Sequence, residues 1–92
     1  MSNPYQIVFT PTFERDLRKL DRDVTRRVLR KIEWLAAHPD LLSQPLQNMP
    51  PDLAGLQKYR IGDYRLLFWL DHSKRIITLY AVAHRSSIYR NL

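Results

Sequence analysis

Ninety-two residues suffice for one domain, and a chain this short has a limited core. The 45% hydrophobic content is that of a globular chain; no apolar run approaches the roughly 18 residues of a membrane span, and with no cysteine there is no disulfide and no thiolate metal site. Fifteen Lys and Arg against nine Asp and Glu leave a net charge of +6, and eleven of the fifteen are Arg, which points to nucleic acid or an acidic protein as partner.

In chain order, residues 1–5 carry neither the basic nor the apolar region of a signal peptide, so a cytoplasmic location is expected. Tyr5 to Phe9 is aromatic and β-branched, with apolar residues at Tyr5, Ile7 and Phe9, and reads as a strand. Thr10-Pro11 reads as an N-cap followed by proline at the first helical position. Phe13, Leu17 and Leu20 then mark a short amphipathic helix. A second helix starts near Asp21 or Asp23, with Val24, Val28, Ile32 and Leu35 as its apolar stripe. Arg26, Arg27, Arg30 and Lys31 fall mostly on the opposite side, and Pro39 ends it. Residues 39–55, with four prolines and Gly55, read as a long loop, with a helical turn at Asp40 to Leu42 and either a functional role or a connecting one. Strands follow at about Leu56–Ile61, Tyr64–Leu70 and Arg75–Ala83. The order β-α-α-β-β-β implies a single α+β domain over residues 1–92, an N-terminal helical hairpin packed on an antiparallel sheet.

Gly62-Asp63 is a two-residue hairpin turn with glycine first, as type II′ prefers. It fixes the register: Ile61 opposite Tyr64, Arg60 opposite Arg65, Lys58 opposite Leu67. Lys58, Arg60 and Arg65 therefore share one face, while Tyr64, Leu66, Phe68 and Leu70 share the other and should pack on the helices. Like charges directly opposite destabilise a sheet. The Arg60–Arg65 pair reads as an anion site, a phosphate between guanidinium forks, or else as solvated arginines neutralised by Asp63, Asp52 or a partner. If the following turn centres on His72-Ser73, Arg65 faces Tyr80 and His84 continues the cationic face, with Arg85 alternating away unless a bulge re-aims it.

A histidine titrates near neutrality and can shuttle protons, so His84 is a candidate base; a structural hydrogen bond at a strand end is the competing reading. His38 and His72 read as surface residues. No two histidines or carboxylates have metal-ligand spacing, and there is neither a Gly-rich phosphate loop nor a glycine-flanked nucleophilic serine. Most aromatics read as core, with Trp69, on the cationic face, the best placed to stack on a base.

Tyr5-x-Ile7-x-Phe9-Thr10, the block Lys58-Tyr59-Arg60-Ile61-Gly62-Asp63-Tyr64-Arg65 and the terminal Ala83-His84-Arg85-Ser86-Ser87-Ile88-Tyr89-Arg90 together resemble the RelE/ParE toxin superfamily, over essentially the whole chain. The resemblance implies a RelE-like microbial RNase fold and the toxin of a type II toxin–antitoxin system. The RelE branch cuts messenger RNA in the ribosomal A site without metal or cofactor, through attack of a ribose 2′-hydroxyl. The ParE branch poisons DNA gyrase. Carried onto this sequence, the catalytic set is Lys58, Arg60, Arg65, Arg85 and Tyr89, with His84 where many members have histidine. Leu56 stands where RelE has a further lysine, which leaves Lys58 or His84 as general base. The retained Arg65, Arg85 and Tyr89 favour the RelE branch. The implied partners are a cognate RelB-like antitoxin and the ribosome with its message, with no membrane, and with operator DNA reached only through the antitoxin. A non-enzymatic gyrase poison and a plain basic RNA- or ribosome-binding module are the rival readings.

Overall fold

The computed structural model of the protein describes residues 4–39 and 46–88. Strand β1 (Gln6–Phe9) leads into helices α1 (Pro11–Arg18) and α2 (Arg22–Ala37). After the loop, and a single 3-10 turn at Pro51–Leu53, come β2 (Gln57–Ile61), β3 (Tyr64–Asp71) and β4 (Ile76–His84). The four strands form one sheet in the order β1-β4-β3-β2. β2, β3 and β4 pair antiparallel as expected, but β1 joins β4 in parallel, Gln6 opposite Ile76 and Phe9 opposite Leu79. The sheet is therefore mixed, because the helical hairpin and the loop carry the chain from one edge to the other before β2 begins. The expected helical turn at Asp40 to Leu42 lies outside the described residues.

Both helix starts follow from their capping residues. The Thr10 hydroxyl accepts from the Phe13 N–H at 3.2 Å and donates to the Leu79 carbonyl at 2.7 Å, so one side chain caps α1 and ties it to β4. Asp21 accepts from the Val24 N–H at 2.9 Å and caps α2. Thr10→Ala removes both bonds of the first cap and is expected to cost about 1–2 kcal/mol of stability, measurable by chemical denaturation.

The main core lies between the helices and one face of the sheet. Phe13, Val28, Ile32 and Leu35 from the helices meet Ile61, Leu66, Phe68, Ile77, Leu79 and Val82 from the strands. The other face carries a second, smaller cluster. Leu56, Leu67, Ala81 and Ile88 are buried there, with Leu46, Met49, Trp69 and Tyr80 packed around them. The loop is thus more than a connector, since it covers part of the outer face. Trp69 is what holds it: its indole N–H donates to the Ala54 carbonyl at 3.1 Å, and its ring meets Tyr80 edge-on at 5.2 Å. Its ring remains partly exposed on the Lys58–Arg65 face, where the sequence placed it. Leu56, where the resemblance led one to look for lysine, is wholly buried in this cluster.

Candidate functional site around the β2–β3 turn

The hairpin register is the one the two-residue turn requires: Arg60 lies opposite Arg65, Lys58 opposite Leu67 and Ile61 opposite Tyr64. Gly62 has φ 58°, while Asp63 is not among the residues of positive φ, which is the II′ pattern. The positive φ is what favours glycine at position 62, and the turn is also where a flexible arginine arrives. A side-chain carbon there would lie 2.8 Å from Nη2 of Arg27, which reaches the turn from α2.

Lys58, Arg60 and Arg65 accordingly share the outer face. Lys58 and Arg60 are exposed and form no ion pair with a described residue. Arg65 is half-buried, and its Nη1 donates to the carbonyls of Gly62 at 3.0 Å and Tyr64 at 2.9 Å. Those bonds anchor one side of the guanidinium to the turn. The Nε–Nη2 edge, the one suited to a bidentate grip on a phosphate, has no described partner. The arrangement is an anchored fork beside two unpaired cations.

Arg85 is brought to the same turn. Its backbone N–H donates to the Asp63 carbonyl at 2.7 Å, and its Nε lies 3.9 Å from the Asp63 carboxylate. Both side chains are about two-thirds exposed, 65% and 69%, so the pair is screened and weak. It leaves Arg85 available to a stronger anion.

The third strand departs from its expected register. The turn between β3 and β4 spans four residues, with Asp71 opposite Ile76 and Arg75 at φ 57°. A bulge at Leu67/Phe68 then leaves Tyr80 as the extra residue, nine in β4 against eight in β3. Arg65 therefore faces Ala83, not Tyr80, and His84 faces Tyr64. Because side chains alternate with period two, the longer turn, a shift of two, keeps the face, and the one extra residue at the bulge is what moves His84 off the Lys58–Arg65 face. It meets Tyr64 edge-on at 5.5 Å beside a cleft of about 400 Å³ lined by Thr12, Asp16, Lys19, Tyr80 and Ser87. Its Nδ1 accepts from the Ser86 N–H at 3.2 Å and lies 2.9 Å from the Ser86 hydroxyl. This is the structural hydrogen bond that was the competing reading. Tyr89 lies outside the described residues.

The turn at Asp71 is a local device of a different kind. Hydrogen bonds from the Lys74 N–H and the Ser73 hydroxyl hold the Asp71 carboxyl below its ordinary pKa. A depressed carboxylate contributes its stability above the unfolded value and loses it as pH falls through the folded one. Among the described residues no group of three or more His, Cys, Asp or Glu could hold a metal ion, and no helix is long and apolar enough to cross a membrane.

Two helices on one face of a four-stranded sheet, with a cluster of guanidinium groups gathered at one hairpin turn, define a small basic α+β protein. The family model described as ParE toxin of type II toxin-antitoxin system, parDE, matches residues 7–89. The chain belongs to this family, the RelE/ParE toxins of type II toxin–antitoxin systems. It is 38% identical over 90 residues to Toxin RelG of Mycobacterium tuberculosis, covering 95% of this chain and 98% of that one. To Toxin RelE of the same organism it is 33% identical over 89 residues, covering 96% and 89%. The crystal structure of the toxin–antitoxin complex RelBE2 from Mycobacterium tuberculosis superposes with a TM-score of 0.76 at 33% identity, covering 90% of this chain and 93% of that one. These relatives are RelE-type toxins, which puts the RelE-like reading ahead of the gyrase poison.

Proposed function

We propose that the protein is a ribosome-dependent endoribonuclease that cuts messenger RNA in the A site and so inhibits translation, in the cytoplasm where ribosomes are. The observation that carries this is the outer face of the β2–β3 hairpin: the anchored fork of Arg65 with Arg60 opposite it, Lys58 further along the same face of β2, and Arg85 tied to the turn. The 2′-oxygen of the ribose attacks the adjacent phosphorus and the bond from phosphorus to the 5′-oxygen breaks. The products are a 2′,3′-cyclic phosphate, or the 3′-phosphate it opens to, and a 5′-hydroxyl. Arg65 and Arg60 bind the phosphate and stabilise the charge that builds on its oxygens. Lys58 shares their face and, as the neutral amine, accepts the 2′-hydroxyl proton to become the ammonium; His84 as the neutral imidazole, on the other face, is the other candidate base. Arg85 exchanges Asp63 for the leaving 5′-oxygen, as a clamp or as the source of its proton. Tyr89 positions a base. No step needs a metal or cofactor, because the nucleophile is supplied by the substrate. The ribosome supplies orientation, so free RNA is cut poorly.

The partner that restrains such an activity is a cognate antitoxin. A RelB-like segment, acidic where it meets this chain and folding as it binds, would mask the cations, and operator DNA would be reached through that partner. The RelBE2 complex is a toxin–antitoxin assembly of this kind.

Brief induction with primer extension on messages, alongside a plasmid supercoiling assay, tests the reading. Cuts phased with codons are expected. Intact messages with broken DNA would replace it with the gyrase-poison reading. Asp63→Asn offers a finer check. An exposed pair is worth about 0.2–1 kcal/mol, so releasing Arg85 from its carboxylate should tighten RNA binding by at most about fivefold at low salt. The expected result is seen by titrating an uncleavable 2′-O-methyl oligonucleotide.

A further inference from the structure

The outer side of α2 carries a feature the proposed chemistry does not use. Arg27, Arg30, Lys31 and Trp34 line a shallow pocket of about 360 Å³ with Ile61 at its base. None of the three cations forms an ion pair with a described residue. Trp34 stays 38% exposed, while Val28, Ile32 and Leu35 of the same helix are buried. Lys31 Nζ sits 4.6 Å from the Trp34 ring and 5.6 Å from that of Tyr59, while His38 stacks on Trp34 at 4.3 Å and its Nδ1 lies 2.8 Å from the Trp34 carbonyl. Arg27 and Arg30 stand beside Lys31, whose ammonium the Trp34 and Tyr59 rings engage, and like charges gathered around a half-exposed indole raise a positive potential that attracts an anion.

The pocket does not stand apart from the sheet face. Arg27 packs against Gly62 from the α2 side, and Arg65 bonds the Gly62 carbonyl from the sheet side. One turn therefore joins the two groups of cations into a continuous basic track that bends around the tip of the hairpin.

We propose that this α2 pocket is a second phosphate-binding subsite, which anchors the RNA backbone a few nucleotides away from the bond that is cut. Arg27, Arg30 and Lys31 hold phosphates, and the Trp34–His38 stack supplies an aromatic edge to the strand. Such a track presupposes that the sheet face takes RNA, as proposed above. Continuity with that face is what selects RNA over an acidic protein, because a partner helix lying on α2 has no need to turn the corner at Gly62. A polynucleotide must, if one strand is to reach both groups.

The test is a salt titration of binding to a mixed-sequence 2′-O-methyl oligoribonucleotide, which cannot be cut and so reports binding alone. For single strands the slope of log affinity against log salt changes by about 0.7 for each phosphate contact. The triple variant Arg27→Gln/Arg30→Gln/Lys31→Gln should lower the slope by about 2 and weaken binding on the order of tenfold or more at low salt. Arg22→Gln/Arg26→Gln, on the same helix but outside the pocket, removes charge without removing a contact and should change the slope by less than half as much. An unchanged slope in the triple variant overturns the subsite, as does an equal loss in the control pair. So does a triple variant that keeps its RNA affinity but no longer captures the purified cognate antitoxin, since the pocket would then be a protein interface. A protein that binds the uncleavable strand through α2 yet leaves messages intact would retain the subsite and lose the nuclease reading. Thermal unfolding of each variant separates loss of contact from loss of fold.

Discussion

Arg65→Ala is expected to lower ribosome-dependent message cleavage on the order of 100-fold or more, with a modest loss of stability that leaves the chain folded at the assay temperature. Removing one preorganised donor aimed at developing charge costs about 2.7–4 kcal/mol of transition-state stabilisation in hydrolytic sites of comparable design. Under the proposed mechanism Arg65 would be such a donor. Its Nη1 is fixed by the carbonyls of Gly62 and Tyr64, so the remaining edge is aimed before substrate arrives. Lys58 and Arg60 have no such anchor, and alanine at either should cost less. Arg65→Lys separates charge from geometry. It keeps the cation but loses the fork, and should fall between alanine and the parent. The backbone bonds that alanine removes lie at a hairpin tip and are each worth about 1 kcal/mol or less there, so stability is a poor explanation for a hundredfold loss. Cleavage at the parental rate in Arg65→Ala, measured on programmed ribosomes, would sink the assignment.

What the sequence made legible was local chemistry, and what it hid was non-local geometry. Thr10-Pro11 and Asp21 announced the helix starts because a cap is a contact between near neighbours. Gly62-Asp63 fixed the whole β2–β3 register because a two-residue turn allows one pairing. The third strand was lost to two features without a compositional signal: a four-residue turn that puts Arg75 at φ 57°, and one extra residue at Tyr80. A shift that small was enough to move His84 to the other face. The bond made by Trp69 was hidden for a related reason. Its face was assigned correctly, but the Ala54 carbonyl that engages it belongs to a loop whose path no periodicity describes. The parallel β1 was equally hidden, since pairing direction depends on where the crossover lands. Arg27 fell on the polar side of α2 by helical spacing alone. That its guanidinium touches the hairpin tip is a fact of packing between helix and sheet.

A single 2′-deoxynucleotide on the 5′ side of the scissile bond should abolish cleavage at that bond while leaving binding nearly intact. The proposed nucleophile is part of the substrate, held next to the phosphorus by the ribose itself. Intramolecular placement of this kind is worth about 7–11 kcal/mol relative to a reagent drawn from solution. The cationic face has the means to hold and polarise a phosphate, but its side chains are donors of positive charge, and none of Lys58, Arg60, Arg65 or Arg85 is suited to replace the missing oxygen. With hydrogen in place of the hydroxyl there is nothing for Lys58 to deprotonate and no route to a cyclic phosphate. An enzyme that activates water would be indifferent to the change, and a gyrase poison would not cut either strand. The measurement is primer extension on ribosomes programmed with paired messages that differ in that one sugar. Loss of the cut at the substituted codon, with cuts elsewhere preserved, is expected. A deoxy message cut at the normal position and rate would remove the 2′-oxygen from the mechanism, and with it the reason to gather four cations at one hairpin around a strand of RNA.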